Sequence, residues 1–114
     1  MLYQDQNDVF LCGLIGDDFQ FGRTQDAKDY ATFSLCVNAY EKEDADSTER
    51  TRTQQYIRVF CYDKRQVEYL KRLDVHRGQR ASIKARLSSF KNEYKGITYM
   101  TLSVVCRRIW IIKT

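Results

Sequence analysis

Residues 55–64, QYIRVFCYDK, alternate with period two, and this stretch constrains the fold more than any other. Ile57, Val59 and Cys61 point one way, and Tyr56, Arg58, Phe60 and Tyr62 point the other. Only an extended strand has that period, so the chain must build a sheet with a core under the first face. The second face interleaves aromatic rings with a guanidinium. A nucleobase offers a flat π-face and a phosphate offers charge, so such a face suits a single strand of nucleic acid. It equally suits a strand buried on both sides, with the rings packed under a helix. The rest of the sequence has to separate these two readings.

The other segments extend the pattern. NDVFLCGLIG, residues 7–16, is a nearly continuous apolar strand interrupted by Gly13, and a glycine there marks a bulge or the tight bend of a small barrel's corner. Residues 17–29 read as a loop or ragged hairpin, in which Phe19, Phe21 and Arg23 either make contacts or fold back onto the barrel end. YATFSLCVNAY, residues 30–40, sets Ala31, Phe33, Leu35, Val37 and Ala39 against a mild polar face that includes Tyr40. Residues 41–52, EKEDADSTERTR, have no large apolar side chain and read as a solvated loop. Its acids would repel a nucleic-acid backbone, whereas Arg50 and Arg52 at its end would not. Val67, Leu70 and Leu73 follow helical spacing, so residues 65–75 are expected to form a short amphipathic helix. RASIKARLSSF, residues 80–90, turns Ala81, Ile83, Ala85 and Leu87 inward and Arg80, Lys84, Arg86 and Phe90 outward. KNEYKG, residues 91–96, reads as a basic turn carrying Lys91, Tyr94 and Lys95, with Gly96 at positive φ. Residues 97–114 form a long final strand.

These segments assemble as β-β-β-α-β-β. The expected fold is all-β: a five-stranded Greek-key OB-fold barrel with one short helix between the third and fourth strands. In such barrels the second and third strands and their loops bind oligonucleotides. The length of 114 residues points to a single domain, 1–114. No apolar run approaches the roughly 18 residues of a membrane span, and the N-terminus lacks the pattern of a secretory or transit segment. Cys12, Cys36, Cys61 and Cys106 form no CxxC pair and sit in apolar or alternating runs. They are expected to be buried free thiols in a reducing cytoplasm. Charge is unevenly divided: residues 1–51 hold four Lys/Arg against eleven Asp/Glu, and residues 52–114 hold fifteen against four. The basic half suggests a polyanion partner, unless the halves interleave in space and cancel.

On four stretches the sequence resembles bacterial single-stranded DNA-binding proteins: NDVFLCGLIGDD, ATFSLCVNAY, QYIRVFCYDKRQVEYLKRL and RGQRASIKARLSSFKNEYKGITYMTLSVV. The resemblance implies sequence-independent binding of single-stranded DNA in replication, recombination or repair. It puts the family's stacking aromatics near Tyr40 and on Tyr56, Phe90 and Tyr62, none of which is the family's tryptophan. Arg58 would lie beside Tyr56, and Arg52, Lys84, Arg86, Lys91, Tyr94 and Lys95 complete the expected contact set. The resemblance also implies a cytoplasmic, nucleoid-associated homo-oligomer, a dimer or tetramer, with no cofactor. The family continues into a glycine- and proline-rich tail with an acidic tip, whereas this sequence ends in RRIWIIKT. A tail-less paralogue or a core fragment is expected, without recruitment of replication enzymes through such a tip.

Two other readings fit an OB-fold of this size. One is a primosomal replication accessory dimer. The other is a protein–protein assembly subunit of a mobile-element replication complex, in which the aromatic face is an interface. An enzyme is not expected, because no phosphate-cradling glycine loop, nucleophile elbow or metal-ligand cluster is legible and His76 stands alone. Oligomerisation has a second basis: Leu2, Tyr3, Val105, Ile109, Trp110, Ile111 and Ile112 are more apolar groups than one small barrel should cover.

Overall fold

The computed structural model describes residues 5–42 and 50–112, with side chains described for 5–38 and 52–112. The elements are β1 (Val9–Ile15), β2 (Gln20–Arg23), β3 (Asp29–Lys42), β4 (Arg50–Cys61), α1 (Lys64–Arg72), β5 (Arg80–Tyr94) and β6 (Ile97–Ile112). Five of the strands close a ring. β1 pairs with β5, β5 with β6, β6 with β4, β4 with β3, and β3 returns to β1. Only β4 and β6 run parallel; the other ladders are antiparallel. The result is an all-β OB-type barrel with its helix between the third and fourth strands of the ring. β2 is an addition to the edge of β3, so the stretch expected as a loop or ragged hairpin is a hairpin.

The alternating faces explain the core. Ala31, Phe33 and Leu35 of β3, Val59 and Cys61 of β4, and Ala81, Ile83 and Ala85 of β5 are all buried inside the ring. Val67 and Leu70 of α1 join them, and burying side chains of this size is worth roughly 1.5–3 kcal/mol each. Asp63 caps α1 by accepting from the Gln66 backbone N–H at 3.1 Å, and the helix ends at Arg72, three residues short of the expected 75. Phe19 folds back as one expected alternative had it: its ring lies 4.5 Å from that of Phe33.

Gly13 marks the barrel's corner. A Cβ built there would stand 2.2 Å from the Cys36 carbonyl oxygen, where β1 leaves β5 and joins β3 through Leu14–Cys36 and Ile15–Leu35. The close approach of two backbones is the physical reason for a glycine at this point.

Several expectations need correction. The β3–β4 ladder continues through Lys42–Arg50, so Glu41, Lys42 and Arg50–Arg52 are strand and not loop; 43–49 lie outside the described residues. The basic turn of 91–96 contracts to Lys95 and Gly96, at φ 49° and 78°, the positive values that a two-residue type I′ hairpin requires. β5 and β6 therefore run on as a ribbon beyond the barrel, and Leu87, expected to face the core, is exposed. Val105 and Ile109, expected as uncovered surface, are buried at 5% and 3% exposure. A bulge places Lys84 opposite Arg108 and Ala85 opposite Cys106, leaving Arg107 as the extra residue and turning both Cys106 and Ile109 inward. The Ile109 N–H donates to Gln66 Oε1 at 3.0 Å, which ties the bulge to α1. Leu2 and Tyr3 lie outside the described residues.

All four cysteines are free thiols, three buried and one, Cys12, exposed on the outer face of β1. Cys61 and Cys106 face each other across the parallel ladder. Their mutual hydrogen bond and then burial push the Cys106 thiol far above the ordinary range, so it stays protonated.

Candidate nucleic-acid interface

The outward face of β4 carries the site. Phe60 and Tyr62 stack nearly parallel, with centroids 6.2 Å apart and planes 6° from coincidence. The parallel ladder sets Phe60 beside Val105, and the β5–β6 ladder sets Val105 beside Arg86. Further along the same face of the β5–β6 ribbon lie Ser88 and Ser103, then Phe90 and Thr101, then Asn92. Phe60, Tyr62, Phe90, Asn92, Thr101 and Ser103 enclose an open groove of about 260 Å³. Its walls are aromatic and its far rim polar, with Asn92 Nδ2 donating to Thr101 Oγ1 at 2.8 Å.

Burial pushes the Tyr62 phenol above its usual range, with the Tyr30 hydroxyl adding to the effect. It therefore stays neutral at physiological pH and presents an uncharged ring with an O–H that can donate to a phosphate or base oxygen.

Tyr56 lies on the same outward face, 64% exposed, with its ring edge beside Gly16, where a Cβ would stand 3.2 Å from Cδ1. Arg58, the next residue outward, is not a free cation. Its Nη2 is 3.0 Å from Asp17 Oδ2, and Asp17 also accepts from the Ser34 N–H at 2.6 Å. The half-exposed pair fixes the guanidinium between Tyr56 and Phe60 while cancelling part of its field.

The remaining expected contacts divide. Arg52 is an exposed strand residue directly across the ladder from Tyr40, whose side chain lies outside the described residues. Phe90 lines the groove, and Arg86 is two strands from Phe60 in the same row. Tyr94 and Lys95 sit at the ribbon's tip, with the Lys95 ammonium 5.4 Å above the Tyr94 ring. Lys91 stands on the opposite face of the ribbon from Phe90, across from Met100. Lys84 reaches toward β1, where its ammonium lies 5.7 Å over the Phe10 ring. The groove also contains residues absent from the expected contact set. Phe60 was legible as the partner of Tyr62 two residues on, but Asn92, Thr101 and Ser103 enter only through the ribbon's register.

A closed five-stranded barrel with a stacked aromatic pair on its outer wall defines a class of oligonucleotide-binding module. The chain belongs to the single-strand binding protein family, whose model matches residues 6–112. Solved structures of similar fold include the Plasmodium falciparum SSB in complex with ssDNA, at TM-score 0.81 and 18% identity, covering 99% of this chain and 100% of that one. A deletion mutant of the single-stranded DNA binding protein from Thermus aquaticus matches at TM-score 0.81 and 20% identity, over 95% of this chain and 51% of that one. Rim1, a mitochondrial single-stranded DNA binding protein from S. cerevisiae, matches at TM-score 0.67 and 19% identity, over 96% and 97%. A search of curated proteins by sequence found no match.

Proposed function

We propose that this chain carries out its family's single-strand binding by laying bases on Tyr56, Phe60, Tyr62 and Phe90 while Arg52, Arg58 and Arg86 run beside the phosphates. The observation that carries the reading is the Phe60–Tyr62 stack opening into a groove walled by Phe90. A stacked face accepts any base, because every base has a π-face, so binding is indifferent to sequence. The phosphates contribute through counterion release, which makes affinity fall as salt rises. The protein acts by binding alone and has no catalytic step. Its place is the cytoplasm, on single strands exposed during replication, recombination or repair. Among the described residues no helix is long and apolar enough to cross a membrane.

The protein assembles with further copies of itself through the outer face of β1, β5 and β6. There Phe10 is 70% exposed and Trp110 43%, with Cys12, Leu14 and Ile112 around them. A second copy covers this patch without touching the Phe60–Phe90 groove, since Phe10 and Trp110 flank β5 at its barrel end.

One sedimentation experiment reads both claims. The free protein is expected to sediment as a multiple of its 13.5 kDa chain, and labelled oligo-dT, but not an equal-length duplex, should travel with it. A monomer would remove the assembly claim. Equal co-sedimentation of duplex, or none of oligo-dT, would contradict the single-strand reading.

A further inference from the structure

The backbone ladder between β1 and β5 runs from Leu14–Arg80 to Val9–Ala85 and stops there. In the same register, the next residues to exchange both bonds would be Asn7 and Leu87. A side chain takes over at that point. Asn7 Nδ2 donates to the Leu87 carbonyl at 2.7 Å, and the Leu87 N–H donates to Asn7 Oδ1 at 2.9 Å. A carboxamide carries a donor and an acceptor side by side, so it supplies both bonds of a missing antiparallel rung.

Leu87 stands where the ribbon leaves the barrel. Across the β5–β6 ladder it faces Val104, and Val104 faces Val59 of β4. Beyond that row, toward the Lys95–Gly96 turn, β5 and β6 pair only with each other among the described residues. The base of the ribbon is therefore held from one side by β4 and from the other by Asn7. Phe90 is three residues further along β5 and lines the groove with Phe60 and Tyr62. The neighbouring contact is no substitute: Asp8 Oδ1 lies 3.2 Å from Arg107 Nη1, but both side chains are about half exposed and Arg107 belongs to the bulge, on the barrel side of the row. An ion pair exposed to that degree holds little.

We infer that Asn7 is a positioning residue for single-strand binding: by closing the last rung on Leu87 it fixes the angle at which the ribbon carries Phe90 to the groove. This rests on the single-strand reading of that groove. Asn7 touches no base or phosphate in this account and acts only through Phe90.

The test is a double-mutant cycle on oligo-dT affinity. Asn7→Ala removes both bonds and leaves the rings and cations in place; Asn7 is exposed and lies outside the core, so the fold should be kept. A net hydrogen bond shifts an equilibrium by about fivefold. Losing two makes the competent arrangement of the ribbon about fivefold to 25-fold rarer, and affinity falls by the same factor with the salt slope unchanged. Asn7→Ser, too short to span both bonds, should behave alike. The loss should not exceed that of Phe90→Ala, itself roughly fivefold to 150-fold. In a Phe90→Ala background Asn7→Ala should cost less than about twofold, whereas in a Tyr56→Ala background, where the missing ring belongs to β4, it should keep its full effect. By nuclear magnetic resonance, the Leu87 amide should be protected from hydrogen exchange in the wild type and lose that protection in Asn7→Ala. Affinity within about twofold of wild type in both Asn7 variants would overturn the inference. So would an equal loss with and without Phe90, which would mean that Asn7 serves stability alone, and so would an unprotected Leu87 amide in the wild type. Wild-type protein that binds no oligo-dT fails the single-strand reading itself, an outcome distinct from wild-type binding with indifferent Asn7 variants.

Discussion

Phe60→Ala combined with Phe90→Ala is expected to weaken oligo-dT binding by about 2–6 kcal/mol, from roughly thirtyfold to roughly 25,000-fold. Each stacked base is worth about 1–3 kcal/mol by alanine substitution, and the two rings come from different elements facing one groove. Neither change removes a charge, so the salt slope should stay that of the wild type. Phe90 is 40% exposed on the ribbon beyond the barrel, and Phe60 is half-buried on its outer wall, so neither belongs to the buried core. Far-ultraviolet circular dichroism of the variant should therefore match the wild type. A folded double variant within threefold of wild-type affinity would mean that these rings do not carry the bases.

Gly13→Ala should produce the largest loss of stability among single methyl additions. The new Cβ would lie 2.2 Å from the Cys36 carbonyl oxygen and 3.0 Å from its carbon, and both are backbone atoms of the strand that closes the barrel. A flexible side chain could swing aside, but here β1 and β3 must separate at the pairs that close the ring. Overpacking a core costs about 1–3 kcal/mol and sometimes more, and a rigid backbone contact belongs at the upper end. Against a total stability of about 5–15 kcal/mol, a loss of about 3 kcal/mol should lower Tm by on the order of 15 °C. A thermal melt shifted by less than about 4 °C, the effect of 1 kcal/mol or less, would show that the corner yields easily.

Where one face of a strand is apolar and the other polar, the sequence was enough. Ala31, Phe33 and Leu35, Val59 and Cys61, and Ala81, Ile83 and Ala85 are buried as their alternation requires. The same rule fails at the end of the ribbon, where no residue of Lys91–Tyr94 is buried and no apolar contrast marks a strand. There the strand is held by cross-strand hydrogen bonds and the Lys95–Gly96 turn, so a polar run looked like a longer loop. The bulge at Arg107 hid the burial of Ile109, because an extra residue breaks the period-two count and brings Ile109 to the same side as Cys106. The acidic 41–52 segment was read too broadly for a related reason: β-pairing extends into residues whose side chains alone favour solvent.

The site shows the same division. Tyr56, Arg58, Phe60 and Tyr62 shared a face on sequence grounds, because they belong to one strand. That Phe90 shares a groove with Phe60, while Lys91 and Lys84 turn elsewhere, depends on the register that sets β5 against β6 and β6 against β4. The tether of Arg58 to Asp17, forty-one residues away in sequence, was equally out of reach of local pattern.

Ultraviolet cross-linking of oligo-dT to the protein, with the linked peptides mapped by mass spectrometry, tests the central claim most directly. Adducts at Phe60, Tyr62 and Phe90 are the predicted result. Adducts confined to Phe10 and Trp110 on the outer face of β1, β5 and β6, with none in the groove, would contradict it.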